Sequence, residues 1–332
     1  MDTNQTMKAA VLEVPGGKFL LQDVKRPIPG EGEVLVKIHA SSVNPLDIKI
    51  SAGSAAHARH PLPAVLGIDL AGVVEDIGKG VKDFKIGDEV YGMTGGVGGI
   101  QGSLAQYAAV DALLLAHKPS NLTMREAAAL PLIFITAWEG LIDRANVSAG
   151  DNVLIQGGAG GVGHIAVQLA KAFNANVFAV DRGSKGEFLK SLGATPIDYT
   201  TIEVAEYVMQ YTAGQGFDIV YDTGGGAILD ASFAAVHRFG HVVSCLGWGT
   251  HSLSPLSFKS ATYSGVFTLH PLLTGEGRNH HGEILRNATK LVEEGKIKPK
   301  LDPRRFNLSD IEEAHDIITN RKADGKIVID IN

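Results

Sequence analysis

Cysteine is almost missing from this sequence: Cys245 stands alone among 332 residues. No internal disulfide can form, and no thiolate cluster can hold zinc. A reducing compartment, the cytoplasm, is the expectation. Long apolar runs are missing too. Gly, Pro or charge interrupts each within about ten residues, half of what a spanning helix needs. There is no basic excess: 30 Lys and Arg against 36 Asp and Glu leave a net charge of -6, which argues against a nucleic-acid surface. The opening "MDTNQT" lacks the apolar stretch of a secretory leader and reads as a ragged N-terminus. What is present suits a folded soluble protein. Hydrophobic residues make up 45% and charged residues 20%, and the length allows two domains with cores of useful size.

Two rhythms divide the chain. Up to about residue 125 it reads as short strands and turns, punctuated by Pro27, Pro29, Pro45, Pro61 and Pro63. "EVLVKIHA" alternates, with Val34, Val36, Ile38 and Ala40 on one face and Leu35, Lys37 and His39 on the other, as a half-buried strand does. "LAGVVEDIG" and "GDEVYGM" are further strand-plus-glycine units. This part is β-rich and barrel-like. From about residue 150 strands alternate with helices. "DNVLIQ", "NVFAVD", "ATPIDY", "FDIVYDTG", "HVVSCLG" and "YSGVFTLH" read as strands. "GVGHIAVQLAKAF", "GSKGEFLKSLG", "TIEVAEYVMQYTAG" and "AILDASFAAVHRFG" read as the helices between them. Such alternation predicts a parallel sheet covered by helices on both faces, an α/β class. A longer helix, "HGEILRNATKLVEEG", and two short strands close the chain.

The glycine run Gly157–Gly163, broken only by Ala159 and Val162, carries the chemistry. Gly158, Gly160 and Gly163 form G-x-G-x-x-G between a strand and a helix. The first glycine permits a tight turn, the second lets backbone approach a pyrophosphate, and the third lets helix pack on strand. The first-turn N–H groups, those of Gly161, Val162 and Gly163, face the anion. Asp181 ends the next strand, eighteen residues beyond Gly163, where an acid accepts hydrogen bonds from an adenosine ribose and favours NAD. Arg182, Ser184 and Lys185 follow at once, and cations beside a hydroxyl suit the 2′-phosphate of NADP instead. The motif therefore predicts a dinucleotide and leaves its phosphate open.

"MKAAVLE", "VLVKIHASSVNPLDIKI", "LPAVLGIDLAGVVEDIG", "GDEVYGM", "AAALPLIFITAWEGL", "VLIQGGAGGVGHIAVQLAK" and "IVYDTGGG" occur in that order. Nearly the whole chain thereby resembles the medium-chain dehydrogenases/reductases, and most of all their zinc-independent quinone oxidoreductase branch. The resemblance implies a GroES-like β-barrel domain from residues 1–127 and 271–332, with a Rossmann doubly wound parallel sheet, residues 128–270, inserted between. It implies no catalytic zinc. Zinc-dependent relatives carry a cysteine where this chain has "SVNPLD" and Gly-His-Glu where it has Gly67-Ile68-Asp69. Their structural-zinc loop holds four cysteines, and "TGGVGGIQGSLAQYAAV" holds none. By the same resemblance Asn44 and Thr136 line a nicotinamide pocket, and Leu246 and Phe267 approach the ring through their backbones. Lys185, Tyr199 and Arg321 match residues that grip the 2′-phosphate in NADPH-using relatives. Asp181 departs from that pattern, so NADP is favoured with NAD as the alternative.

The activity this implies is NAD(P)H-dependent reduction of a quinone or an activated carbon–carbon double bond by a cytoplasmic homodimer, with no nucleic-acid or membrane partner. An enoyl-thioester reductase, or a nucleotide-binding protein with little turnover, stays open beside it. Other candidates read as structural. His39 lies on a strand face, His164 packs inside the first Rossmann helix, and His280 and His281 precede the last long helix without an identifiable third metal ligand. Asp47 suits either proton transfer or a structural hydrogen bond. Cys245 falls in a buried strand and reads as inert.

Overall fold

The computed structural model describes residues 5–331. The reading of residues 1–6 as a ragged terminus thus lies largely outside the described residues. The chain divides into two compact units. One comprises the chain up to Leu132 together with Leu269–Glu294 and the stretch from Pro299 onward; the other comprises Ile133–Thr268 and Gly295–Lys298.

The first unit begins with eight strands: β1 (Thr6–Leu12), β2 (Phe19–Lys25), β3 (Glu33–Ser42), β4 (Ala64–Val65), β5 (Asp69–Ile77), β6 (Glu89–Met93), β7 (Tyr107–Asp111) and β8 (Leu115–His117). The second unit holds β9 (Asn152–Gln156), β10 (Asn176–Asp181), β11 (Thr195–Asp198), β12 (Phe217–Asp222), β13 (Val236–Ser244) and β14 (Thr262–Gly265). The chain then returns to the first unit with β15 (Phe306–Asn307) and β16 (Val328–Asp330). There β16 pairs antiparallel with β3, so strands from the two chain ends share one sheet, ordered β15-β16-β3-β5-β6-β8, with β7 also on β3. A smaller sheet runs β2-β1-β4. On β3, Val34, Val36, Ile38 and Ala40 are buried while Lys37 and His39 are exposed, the period of two that the sequence shows; Leu35, expected on the face of Lys37 and His39, is buried as well.

The second unit is a six-stranded sheet, β11-β10-β9-β12-β13-β14, parallel throughout. The order reverses between β9 and β12, and in sheets of this kind ligands bind beyond the carboxyl ends at that switch point. Strand β9 is buried from Val153 to Gln156, as a strand covered on both faces must be. Leu154, Val180, Phe217, Val220, Phe233 and Val242 form the core on one side.

The elements differ from the sequence reading in places. Helices Pro45–Ser51, Met124–Ala128, Pro131–Trp138 and Ile311–Thr319 are additional; the first is too short to show periodicity and owes its start to Asn44 and Pro45. The helix expected over residues 227–240 stops at Ala235, because Val236 already pairs with Phe217 of β12. The strand expected in "YSGVFTLH" covers only Thr262–Gly265.

Candidate active site

The loop after β9 is built by its glycines. Gly157 has φ +70, left-handed backbone that favours glycine. A Cβ at Gly158 would sit 2.8 Å from the Cβ of Ala179, and one at Gly163 would collide with the Gly157 carbonyl. Gly160 is different: its Cβ would meet nothing closer than the Gly157 oxygen at 3.2 Å. The space outside Gly160 is open, as a cradle for a pyrophosphate requires. Gly160 is also the N-cap of helix Gly161–Ala172 and offers no capping side chain. The first-turn N–H groups of Gly161, Val162 and Gly163 have no intrahelical acceptor, and the helix is long enough to present a dipole. The residues present fit a dinucleotide phosphate.

Asp181 is half-buried at the end of β10. One carboxylate oxygen accepts from the Ala159 N–H at 2.9 Å and the other from the Arg182 N–H at 2.8 Å. The acid therefore braces the glycine loop, a task that sequence reasoning did not assign to it. Beside it, Arg182 Nε donates to the Tyr199 hydroxyl at 3.1 Å. Arg182 and Tyr199 are exposed and Lys185 is half-buried. Asp198 lies across from Asp181 in register, and hydrogen bonds from Thr200 hold its carboxyl below the ordinary range. Cations and acids thus share this corner. Arg321 is exposed and belongs to the first unit.

Thr136 is buried in helix Pro131–Trp138, and its carbonyl accepts from the Tyr221 hydroxyl at 2.6 Å. Tyr221 packs so closely that a Cβ at Gly140 would fall 2.7 Å from its ring. Leu246 is half-buried just past β13. Phe267 is 38% exposed, and its ring meets that of Trp248 edge-on at 6.3 Å.

Asn44 belongs to the first unit and is fully buried. Its amide is held at both ends: Nδ2 donates to Asp69 at 2.9 Å, and Oδ1 accepts from Lys326 Nζ at 2.5 Å. Its backbone N–H donates to Asp47 at 2.8 Å. Asp69 also accepts from Ser42 at 2.9 Å and from the Leu132 N–H at 2.9 Å. Two buried carboxyls therefore share one buried ammonium. Burial pushes Asp47 up to about 7 and raises Asp69, while burial draws Lys326 down. Ile68 beside this cluster is fully buried and cannot ligate a metal. Among the described residues no group of three or more His, Cys, Asp or Glu side chains is placed to hold a metal ion.

The remaining candidates are structural. His164 is buried, its Nδ1 2.9 Å from the Gly160 carbonyl. His39 is exposed on β3. His280 reaches Glu283 at 3.5 Å. Cys245 lies one residue beyond β13, and burial pushes its thiol up to about 12, so thiolate chemistry is suppressed. Sequence reasoning missed Asp69, Lys326, Tyr221, Asp222 and Ser244. "DTGGG" carried a hint for Asp222, an acid between a buried strand and glycines; nothing in "DGKIVID" marks Lys326.

A parallel sheet in this strand order, with an open glycine cradle at its switch point, defines a Rossmann-type nucleotide-binding fold; the mixed sheet shared by the two chain ends is the GroES-like part. Residues 30–120 match the family model "Alcohol dehydrogenase GroES-like domain", and residues 192–329 match "Zinc-binding dehydrogenase". The 2-methylene-furan-3-one reductase of Solanum lycopersicum is 38% identical, over 93% of this chain and 74% of the relative. The chloroplastic NADPH-dependent alkenal/one oxidoreductase of Arabidopsis thaliana is 36% identical, over 97% and 79%. A crystal structure of an alcohol dehydrogenase superfamily protein from Novosphingobium aromaticivorans has TM-score 0.97 and 60% identity, covering 98% of this chain and 100% of that one. The chain belongs to the medium-chain dehydrogenase/reductase superfamily, in its quinone oxidoreductase-like branch.

Proposed function

We propose that this protein is an NADPH-dependent reductase of activated alkenes, α,β-unsaturated carbonyl compounds above all, and of quinones. One observation carries the reading: the glycine cradle, with space outside Gly160 and an uncapped helix behind it, in a chain matched over more than nine-tenths of its length by an alkenal/one oxidoreductase. Gly158, Gly160 and Gly163 shape the cradle, and the first-turn N–H groups bind the pyrophosphate. Arg182, Lys185 and Tyr199 grip the 2′-phosphate. The carboxylate of Asp181 opposes that grip less than its position suggests, because both of its oxygens already accept backbone N–H groups. The bound nicotinamide supplies hydride. By the resemblance, Asn44 stabilises the oxygen on which charge develops; with Asn44 Oδ1 held by Lys326 and one Nδ2 hydrogen by Asp69, the second Nδ2 hydrogen is the donor that remains. A saturated ketone needs a strong Lewis acid to accept hydride. An enone or quinone spreads the charge over a conjugated system and needs only hydrogen bonds. Steady-state assays test the reading. NADPH consumption with phenanthrenequinone and a simple enone, and none with acetone, is expected. Efficient reduction of acetone alone would contradict it.

A further inference from the structure

Strand β12 ends on two residues that face opposite ways. Tyr221 holds helix Pro131–Trp138, as above. Asp222 is fully buried, and its partners are donors. Oδ1 accepts from the N–H groups of Gly224 and Gly225, both at 2.9 Å. Oδ2 accepts from the Gly225 N–H at 3.1 Å and from the Ser244 hydroxyl at 2.6 Å. Ser244 Oγ in turn accepts the Leu246 N–H at 3.0 Å. One carboxyl group thereby ties the loop after β12 to the loop after β13. The two loops also touch through backbone: Gly225 has φ +69, and a Cβ there would fall 2.6 Å from the Leu246 carbonyl. The first loop is fastened to the end of β9, where the glycine loop begins, as well, since Thr223 Oγ1 donates to the Gln156 carbonyl at 2.6 Å. All three loops leave the carboxyl ends of adjacent parallel strands, where a dinucleotide lies.

We propose that Asp222 is a positioning residue for the nicotinamide half of the cofactor, acting through the backbone of Gly224, Gly225 and Leu246. The proposal rests on the nicotinamide-binding reading above. A buried carboxylate accepts on both of its oxygens, whereas an amide accepts on one and donates from the other end. Asp222→Asn keeps the volume but turns an NH2 toward the Gly224 and Gly225 N–H groups or toward the Ser244 hydroxyl. At least one charge-assisted bond is lost and the register between the loops loosens. The adenosine half is held elsewhere, at the ends of β10 and β11.

Two ligands separate the halves: NADPH, and 2′-phospho-ADP-ribose, which lacks only the nicotinamide ring. In Asp222→Asn the Kd for NADPH is expected to rise roughly tenfold or more, the worth of one charge-assisted bond. The Kd for 2′-phospho-ADP-ribose is expected to stay within about twofold. Ser244→Ala, which leaves Asp222 its bonds to Gly224 and Gly225 but removes those of the Ser244 hydroxyl to Asp222, Leu246 and Tyr263, should move NADPH affinity the same way by less. The proposal is overturned if NADPH affinity is unchanged in both variants. It is equally overturned if both ligands weaken in proportion, because Asp222 then supports the unit as a whole. Unmutated protein that binds 2′-phospho-ADP-ribose as tightly as NADPH removes the nicotinamide reading itself.

Discussion

The buried cluster around Asn44 makes a quantitative prediction about stability. Asp47 sits near 7 because burial disfavours its charge, whereas in the unfolded chain it ionises near 3.8. A carboxyl group raised on folding favours the native state fully below its unfolded pKa, and that stability is lost as pH rises through the folded pKa. The window therefore runs from about pH 4 to about pH 7. A shift of roughly three units corresponds to about 4 kcal/mol, a large share of the ~5–15 kcal/mol that holds a domain together. Asp47→Asn removes the titration and keeps an oxygen to accept the Asn44 N–H. Its stability relative to the unmutated protein should thus improve by up to about 4 kcal/mol between pH 4 and pH 7 and change little above. Other groups titrate in this range. His315, on the helix Ile311–Thr319 that packs against helix Pro45–Ser51, is pushed down to about 4 by burial. Its contribution is common to both proteins and cancels in the difference, whereas that of Asp69, whose charge raises Asp47, does not and enters the measured size of the change. Urea unfolding of both proteins across the pH series measures this. A difference that is flat with pH, or that falls as pH rises, would refute the reasoning.

Other expectations follow from single contacts. Gly160→Asp should abolish dinucleotide binding in calorimetry with a small change in unfolding midpoint, because its Cβ would meet only the Gly157 carbonyl, at 3.2 Å, in the free protein. Gly163→Ala should instead destabilise by about 1–3 kcal/mol, since the methyl group strikes the Gly157 carbonyl. Removing Arg182 or Lys185 should weaken NADPH about tenfold while leaving NADH nearly untouched; an unchanged NADPH/NADH ratio would point to NAD as the working cofactor. The edge strand β14, with Phe258 85% and Leu253 59% exposed on and just before the preceding helix Ser254–Lys259, is expected to join two copies. Light scattering should then give twice the chain mass, and a monomer at micromolar concentration would speak against it.

The Rossmann part was legible because its signals are local. Hydrophobic runs such as "NVLIQ" are buried on both faces, and each glycine of the loop answers a steric demand visible at its own position. The strand at residues 34–40 was legible for the same reason, as one side of its alternation faces the core. What stayed hidden is made by contacts distant in sequence. Lys326 and Asn44 meet across 282 positions, and neither carries a pattern that names the other. Asp181 reads as a ribose acid from its place after β10, but that its oxygens also fasten the Ala159 and Arg182 N–H groups has no signal in the sequence. Helix 227–235 was overextended because the helical period of its side chains runs on into residues that β12 recruits for a strand.

In the proposed reaction, hydride goes to the β-carbon of the conjugated acceptor, the position from which charge spreads onto the carbonyl oxygen. The most direct measurement is turnover of a simple enone with NADPH deuterated on the transferable position, followed by location of the label in the product. A saturated ketone carrying deuterium on the carbon β to the carbonyl is expected. Deuterium on the carbonyl carbon, in an allylic alcohol, would contradict it.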